Sequence, residues 1–202
     1  MNPYRSAMLA LLAFCTVVTT LDVSRVWAGK GNGSGITPLN AEEVAALDYM
    51  REEEKLARDV YLVMFDYWGS DTFAKIAISE QQHMDTMKSK LDKYDLDDPA
   101  LPFNGLFTNP DLQEKYDELI EIGANSLIMG LYVGATIEEI DMVDIQHAID
   151  ITNHIDVVVA YQNLLEGSKN HLRAYVNSLA SQGFNYEPQY IDQELFDAIM
   201  GL

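Results

Sequence analysis

A chain of 202 residues with 32 acidic against 13 basic side chains carries a formal net charge of −19. Such a field repels phosphate backbones, which argues against nucleic-acid binding, and attracts cations. The one cysteine, Cys15, lies in an apolar N-terminal run, so thiolate catalysis, iron–sulfur clusters and cysteine-bound zinc are excluded for the rest of the chain and any metal must be held by oxygen and nitrogen.

The first segment, "MNPYRSAMLALLAFCTVVTTLDVSRVWAGKG", places Arg5 before an apolar run over residues 7–21 and ends in a small-residue cleavage pattern before Gly29. This is the layout of an export signal over residues 1–28. The run of about 15 residues is shorter than the roughly 20 that span a bilayer as a helix. Cleavage after Ala28 is therefore expected, with no stable membrane span afterwards and a periplasmic or extracellular location. Removing residues 1–28 takes away Arg5, Arg25 and Asp22, leaving 11 basic against 31 acidic side chains and a formal charge of −20. Residues 29–39, "GKGNGSGITPL", read as a flexible linker by composition.

Helix signals recur from residue 40 onward, and strand signals are nearly absent. Asn40 with Glu43 forms a capping-box pattern, and the helical periodicity runs to Gly69, predicting a first helix of about 28 residues. A second is predicted over about 71–94, a crossover over 95–109 and a short helix over 110–122. Third and fourth long helices follow over about 126–151 and 155–182, and a short terminal helix lies within "IDQELFDAIMGL". The expected fold class is all-α, a four-helix bundle over residues 40–182 whose longest connection joins the second and third long helices, with residues 183–202 as a C-terminal extension. The stretch "DKYDLDDPALPF" lacks the glycine and closing glutamate of a calcium-binding EF-hand loop.

Each long helix interrupts its apolar stripe near its midpoint. On the first, Val44, Leu47, Tyr61, Phe65 and Trp68 bracket Arg51, Glu54 and Arg58. On the second, Phe73, Ile76, Met84, Met87 and Leu91 bracket Glu80 and His83. The third carries Glu138 and Asp141 in this position, and the fourth Ser168 and His171. Residues three apart on a helix share a face, so Glu80 and His83 point the same way. Several ionised carboxylates in one dry core would each cost several kcal/mol. Two divalent cations would balance Glu54, Glu80, Glu138 and Asp141, with His83 and His171 neutral. Oxygen-rich coordination with imidazoles suits iron or manganese.

At these residues a resemblance enters. "EKLARDVY" (Glu54 to Tyr61) resembles the first-helix motif of ferritin-like di-iron proteins, in which a ligand Glu is followed three residues on by Ala and seven on by Tyr. "SEQQHMD" resembles their second-helix Glu-x-x-His. With "IEEIDMVDI" and "NLLEGSKNHLRAY", these stretches resemble the DUF2202 family, which is ferritin-like, over about residues 40–182. The resemblance implies that Glu54, Glu80 and His83 are ligands and that Glu138 with Asp141 is similar to the paired acids three apart on the third helix of rubrerythrins. It implies a di-iron or iron–manganese centre reacting with O2 or H2O2 as a ferroxidase or peroxidase, in a chain able to form a homo-oligomer. Lacking a mature cysteine, such a protein would draw its electrons from elsewhere.

The fourth helix departs from that pattern: Ser168, not an acid, precedes His171 by three. Either Asp141 or Glu139 replaces the missing carboxylate, or the second metal is weakly held, or the centre is single-metal or vestigial, leaving a non-enzymatic metal- or partner-binding module. Helix phase leaves Glu138 and Glu139 competing for one role. Glu52 and Glu53 are expected on a solvated face, and His147 and His154 in surface or capping roles. Tyr61 and Tyr175 are expected to pack beside the site or donate to its carboxylates. Arg58, Arg173 and Asn170 are candidate partners for the acids, and the methionines are expected to fill the core.

Overall fold

The computed structural model describes residues 37–202. The expected export signal (1–28) and most of the linker (29–39) lie outside the described residues. Among those described there are six α-helices and no strand: α1 Ala41–Trp68, α2 Asp71–Lys93, α3 Pro110–Gly123, α4 Leu127–Ile151, α5 Ile155–Ser181 and α6 Gln193–Met200. No helix among them is long and apolar enough to cross a membrane.

The predicted caps form. Asn40 Oδ1 accepts from the Glu42 and Glu43 amides at 2.9 and 3.0 Å, and Glu43 Oε2 accepts from the Asn40 amide at 2.8 Å. This satisfies donors that the first turn of α1 would otherwise leave open. The second oxygen of Glu43 accepts from the Asn153 amide at 2.8 Å and lies 2.9 Å from His154 Nδ1. One carboxylate thus ties the start of α1 to the α4–α5 turn. His154 is the N-cap residue of α5, and His147 is exposed.

Packing pairs α1 with α2 and α4 with α5. The pairs meet through α1 against α4 and α2 against α5, α3 lies across α1 and α4, and α6 rests on α5. Leu47, Met50, Leu91, Ile145, Val157 and Leu164 form an apolar cluster toward one end. Toward the other end, Tyr61, Phe73 and Tyr175 are buried in mutual ring contact, with centroids 5.2 and 5.7 Å apart. The midpoints of α1, α2, α4 and α5 lie between these apolar regions. Methionines 50, 64, 84, 87, 129 and 142 are all buried, as core residues of adaptable shape would be.

The connection over residues 94–109 corrects the expectation for "REEEK". Glu52 and Glu53 are buried. Arg51 holds Asp98 through two bonds of 3.0 Å, and Glu52 accepts from the Thr108 and Asn109 amides at 2.6 and 3.0 Å. Lys55, buried beside Asp59 at 2.5 Å, donates to the Phe103 carbonyl at 2.9 Å and stands over the Phe107 ring. The face of α1 that composition assigns to water is covered by this connection and by α3.

That cover crowds acids at one point. Burial raises the Asp48 carboxyl to about 6, helped by Glu52, Asp98 and Asp97. A carboxyl raised in the fold contributes stability that is present below its ordinary value of 3.8 and lost as pH rises through about 6. Asp48→Asn is therefore expected to stabilise the protein by about 1–2 kcal/mol at pH 7, after discounting for partial solvent screening. The gain should vanish below about pH 4. Urea melts at the two pH values check this, and an equal gain at both would refute it.

Candidate metal centre

Four helices deliver the site. Glu54 comes from α1, Glu80 and His83 from α2, Glu138 and Asp141 from α4, and Ser168 and His171 from α5; all are buried. Glu80 occupies the middle. Its Oε2 lies 2.8 Å from His83 Nδ1, and its Oε1 lies 2.8 Å from His171 Nδ1. His83 Nδ1 is also 3.1 Å from Glu54 Oε2, and His171 Nδ1 is 3.4 Å from Glu138 Oε2. The imidazoles lie 5.3 Å apart, centroid to centroid. Glu80, His83 and His171 each offer a ligand atom within 4.8 Å of the others, a group that could hold a metal ion.

The surroundings orient these groups. Tyr61 donates its hydroxyl to Glu138 Oε1 at 2.6 Å, which leaves Oε2 directed at His171. Ser79 Oγ lies 2.8 Å from His171 Nε2, and a hydrogen bond there turns Nδ1 toward the carboxylates. Helix α5 comes so close that a Cβ on Gly167 would stand 2.5 Å from His83 Nε2, and one on Gly134 of α4 would stand 2.5 Å from the Tyr175 ring. Only glycine permits either approach.

Ser168 fills the place of the missing acid. Its hydroxyl makes a short hydrogen bond with Asp141 Oδ2 and lies 3.0 Å from the Leu164 carbonyl. One hydroxyl hydrogen cannot serve both. A protonated Asp141 donating to Ser168, which in turn donates to Leu164, satisfies the whole chain.

Glu139 is spent elsewhere. Its Oε2 accepts from the amides of Gln189, Tyr190 and Ile191 at 2.8, 2.6 and 3.2 Å. Glu138 therefore faces the cluster and Glu139 faces the C-terminal segment. Glu139→Ala strands three amides and is expected to lower stability by about 1–3 kcal/mol. The loss should be read as a lower urea midpoint with faster proteolysis near residues 189–191; unchanged cleavage there would contradict it.

Electrostatics bind the set together. Burial pushes Glu54 up to about 8 and Glu138 up to about 7, and the neighbouring Glu80 carboxylate adds to both. Burial followed by the charges of Glu54, Glu53, Glu138 and Glu80 raises Asp141 well above the carboxylate range. Burial also opposes ionisation of Glu80, but His171 and His83 overrule it and hold Glu80 at about 2. Burial likewise opposes charge on the imidazoles. Glu54 and Glu80 nonetheless raise His83 to about 11, and Glu138 and Glu80 raise His171 to about 10. Protons here compensate charges that a cation would otherwise compensate.

The candidate partners named from sequence are elsewhere. Arg58 is bound to Asp59, Gln81 and Asn104, and Arg173 to Asn170 and the Ile199 carbonyl. Neither guanidinium reaches the cluster in these bonds. Asn170 is exposed. Sequence reasoning passed over Ser79 and Gly167; nothing in their local pattern marks them, since their roles depend on a neighbouring helix.

Among the described residues, six helices, four of them around a buried Glu/His cluster, define an all-α protein with a group of side chains that could hold a metal ion. The chain belongs to the DUF2202 family, an uncharacterized protein domain matched over residues 43–201. It is 46% identical over 164 residues to uncharacterized protein MJ0754 of Methanocaldococcus jannaschii, an overlap covering 81% of this chain and 89% of that protein. The crystal structure of hypothetical protein MJ0754 from Methanococcus jannaschii DSM 2661 is similar, with a TM-score of 0.81 and 44% identity. It covers 85% of this chain and 98% of that one.

Proposed function

We propose that the protein is an exported, ferritin-like four-helix bundle, with the crossover between its second and third long helices, that holds two iron (or iron and manganese) ions and carries out ferroxidase or peroxidase chemistry with O2 or H2O2. One observation carries the reading: Glu80, His83 and His171 each offer a buried ligand atom within 4.8 Å of the others, while the buried carboxylate oxygens Glu54 Oε1 and Asp141 Oδ1 have no hydrogen-bond partner. Buried polar atoms are normally paired, and a carboxylate left open in a dry core is expensive. His171 Nδ1 lies near two carboxylates without the alignment of a hydrogen bond. The donor set of carboxylates and imidazoles fits iron or manganese.

Glu54, Glu80, His83, Glu138, Asp141 and His171 would hold the ions. When bound, the metal pair supplies the two electrons that reduce the oxidant. The chain's own groups set up the site. Glu80 joins the two histidines. Tyr61 fixes Glu138, and Ser79 holds the His171 ring with Nδ1 inward. The aromatic and aliphatic layers on either side exclude water. Binding displaces protons from Glu54, Glu138 and the imidazoles, so metal affinity should rise with pH.

Ser168 supports a second reading. Its hydroxyl engages the one acid opposite it, so the Asp141 side of the centre is the poorer half, which favours an asymmetric or single-metal site in a non-enzymatic module. Anaerobic dialysis of the purified protein against Fe(II), followed by oxidant, separates the readings. Two ions per chain and a near-ultraviolet charge-transfer band after oxidation are expected. One ion without turnover selects the module, and none defeats the metal centre altogether.

A further inference from the structure

Resting on that metal-centre reading, a site that reduces O2 or H2O2 more than once must be resupplied with electrons. The described residues contain no cysteine to hold a second redox metal, but they do contain a column of aromatic rings that starts at the cluster. Tyr61, whose hydroxyl donates to Glu138 Oε1 at 2.6 Å, contacts Tyr175 with ring centroids 5.2 Å apart, and Tyr175 contacts Phe73 at 5.7 Å. A Cβ on Gly130 would stand 3.2 Å from Phe73 Cζ and 3.2 Å from Trp68 Cδ1, so these two ring atoms are separated by no more than twice that distance. Trp68 meets Tyr67 edge-on, with centroids 6.3 Å apart.

The column runs from the interior to water. Tyr61, Tyr175 and Phe73 are fully buried, Trp68 is half-buried, and Tyr67 is 54% exposed. Tyr61 and Trp68 are seven residues apart on α1, on one face and separated by about 10 Å of rise. Phe73 from α2 and Tyr175 from α5 fill the gap between them.

Packing alone does not call for these ring types. Tyr175 Oη is buried without a hydrogen-bond partner, and phenylalanine would fill the same place without leaving a hydroxyl open, at a saving of about 1–3 kcal/mol. Tyr161 and Tyr186 also bury open hydroxyls, so the hydroxyl by itself assigns nothing. Tyr175 differs in standing between Tyr61 and Phe73, and a phenol, unlike a phenyl ring, can give up one electron to a biological oxidant.

We propose that Trp68, Phe73, Tyr175 and Tyr61, with Tyr67 at the mouth, form a relay that carries electrons one at a time from an external one-electron reductant to the edge of the Glu80–His83–His171 cluster. Tyr61 gives an electron inward and its phenolic proton to Glu138 Oε1. Tyr175 restores Tyr61 with one electron and its own hydroxyl proton, which no acceptor holds. Trp68 supplies the next electron across Phe73, the proton runs back from Glu138 through Tyr61 to Tyr175, and the reductant refills Trp68 at the Tyr67 edge. Two reductant molecules each lose one electron for every H2O2 that takes up two electrons and two solvent protons to become two waters. The net charge of −19 favours a positively charged reductant.

The relay is tested in the full, metal-free chain by running it in reverse. Photogenerated tris(bipyridine)ruthenium(III), a cationic one-electron oxidant, withdraws an electron at the surface, and transient absorption with freeze-quench electron paramagnetic resonance follows the tyrosyl radical. The radical is expected to settle on Tyr61, giving a signal that Tyr61→Phe removes. Trp68→Phe and Tyr175→Phe should slow its appearance about tenfold or more, while Tyr94→Phe, outside the column, should not. Trp68 is only half-buried, so that variant keeps the test alive should Tyr175→Phe disturb the fold. A Tyr61 radical forming at the wild-type rate in both column variants would overturn the relay, and so would a wild-type radical signal that survives Tyr61→Phe. A chain that binds no Fe(II) on dialysis would defeat the metal centre instead, a failure read without any substitution and without light.

Discussion

Glu80→Ala is expected to weaken metal binding by more than about 100-fold, beyond what losing a merely supporting hydrogen bond costs a metal site. Glu80 is the group on which the arrangement converges: its two oxygens lie 2.8 Å from one nitrogen of each histidine. It is also the acid that the imidazoles hold ionised at about 2. Its loss leaves His83 and His171 with counter-ions, Glu54 and Glu138, that burial drives toward the neutral form. The metal-free variant should therefore also melt lower, because a buried charge is left without its partner. Equilibrium dialysis with Fe(II) or Co(II), with exposed Glu166→Ala as the control, decides the matter. Metal content in Glu80→Ala equal to that of the control would remove Glu80 from the centre.

Gly167→Ala sets two effects of opposite sign against each other. Within a helix, alanine is favoured over glycine by about 1 kcal/mol. On α5, however, the added Cβ would stand 2.5 Å from His83 Nε2 and 2.6 Å from its Cε1, far inside van der Waals contact. The ring must tilt away, carrying Nδ1 off its line to Glu54 and Glu80. The contact is expected to win, with affinity falling about 10–100-fold, as for other displacements of a ligand's support. Stability should change little or rise slightly once the ring has moved. A variant that is both more stable and fully metal-competent would mean that α5 and the His83 ring are not in this contact.

The helices were legible because their ends are written in local chemistry. Asn40 with Glu43, Pro110 after Asn109, and Ser126 all lie where the chain needs caps, and the structure uses them so. The Glu80/His83 pair and His171 could likewise be placed by spacing, since each interrupts an otherwise apolar stripe. Glu138 and Glu139 could not be separated in this way. Residues 129–139 of α4 are buried without a break, so the helix has no wet face to fix its phase; the C-terminal segment covers the side where Glu139 points. Glu52 and Glu53 misled for a related reason: the connection over 94–109 and α3 bury a run whose composition belongs on a surface. Gly167 and Ser79 matter only through what a neighbouring helix brings against them, which periodicity does not encode.

Adjacent side chains on a single turn of α4 do two different jobs, one gripping the interior and the other anchoring the tail. Because Glu138 and Glu139 are neighbours on one helix, a displacement of α4 itself, unlike a turn of the Glu138 side chain alone, would carry the segment that Glu139 holds by three amides. A dye attached beyond residue 191 would report such a displacement from the outside.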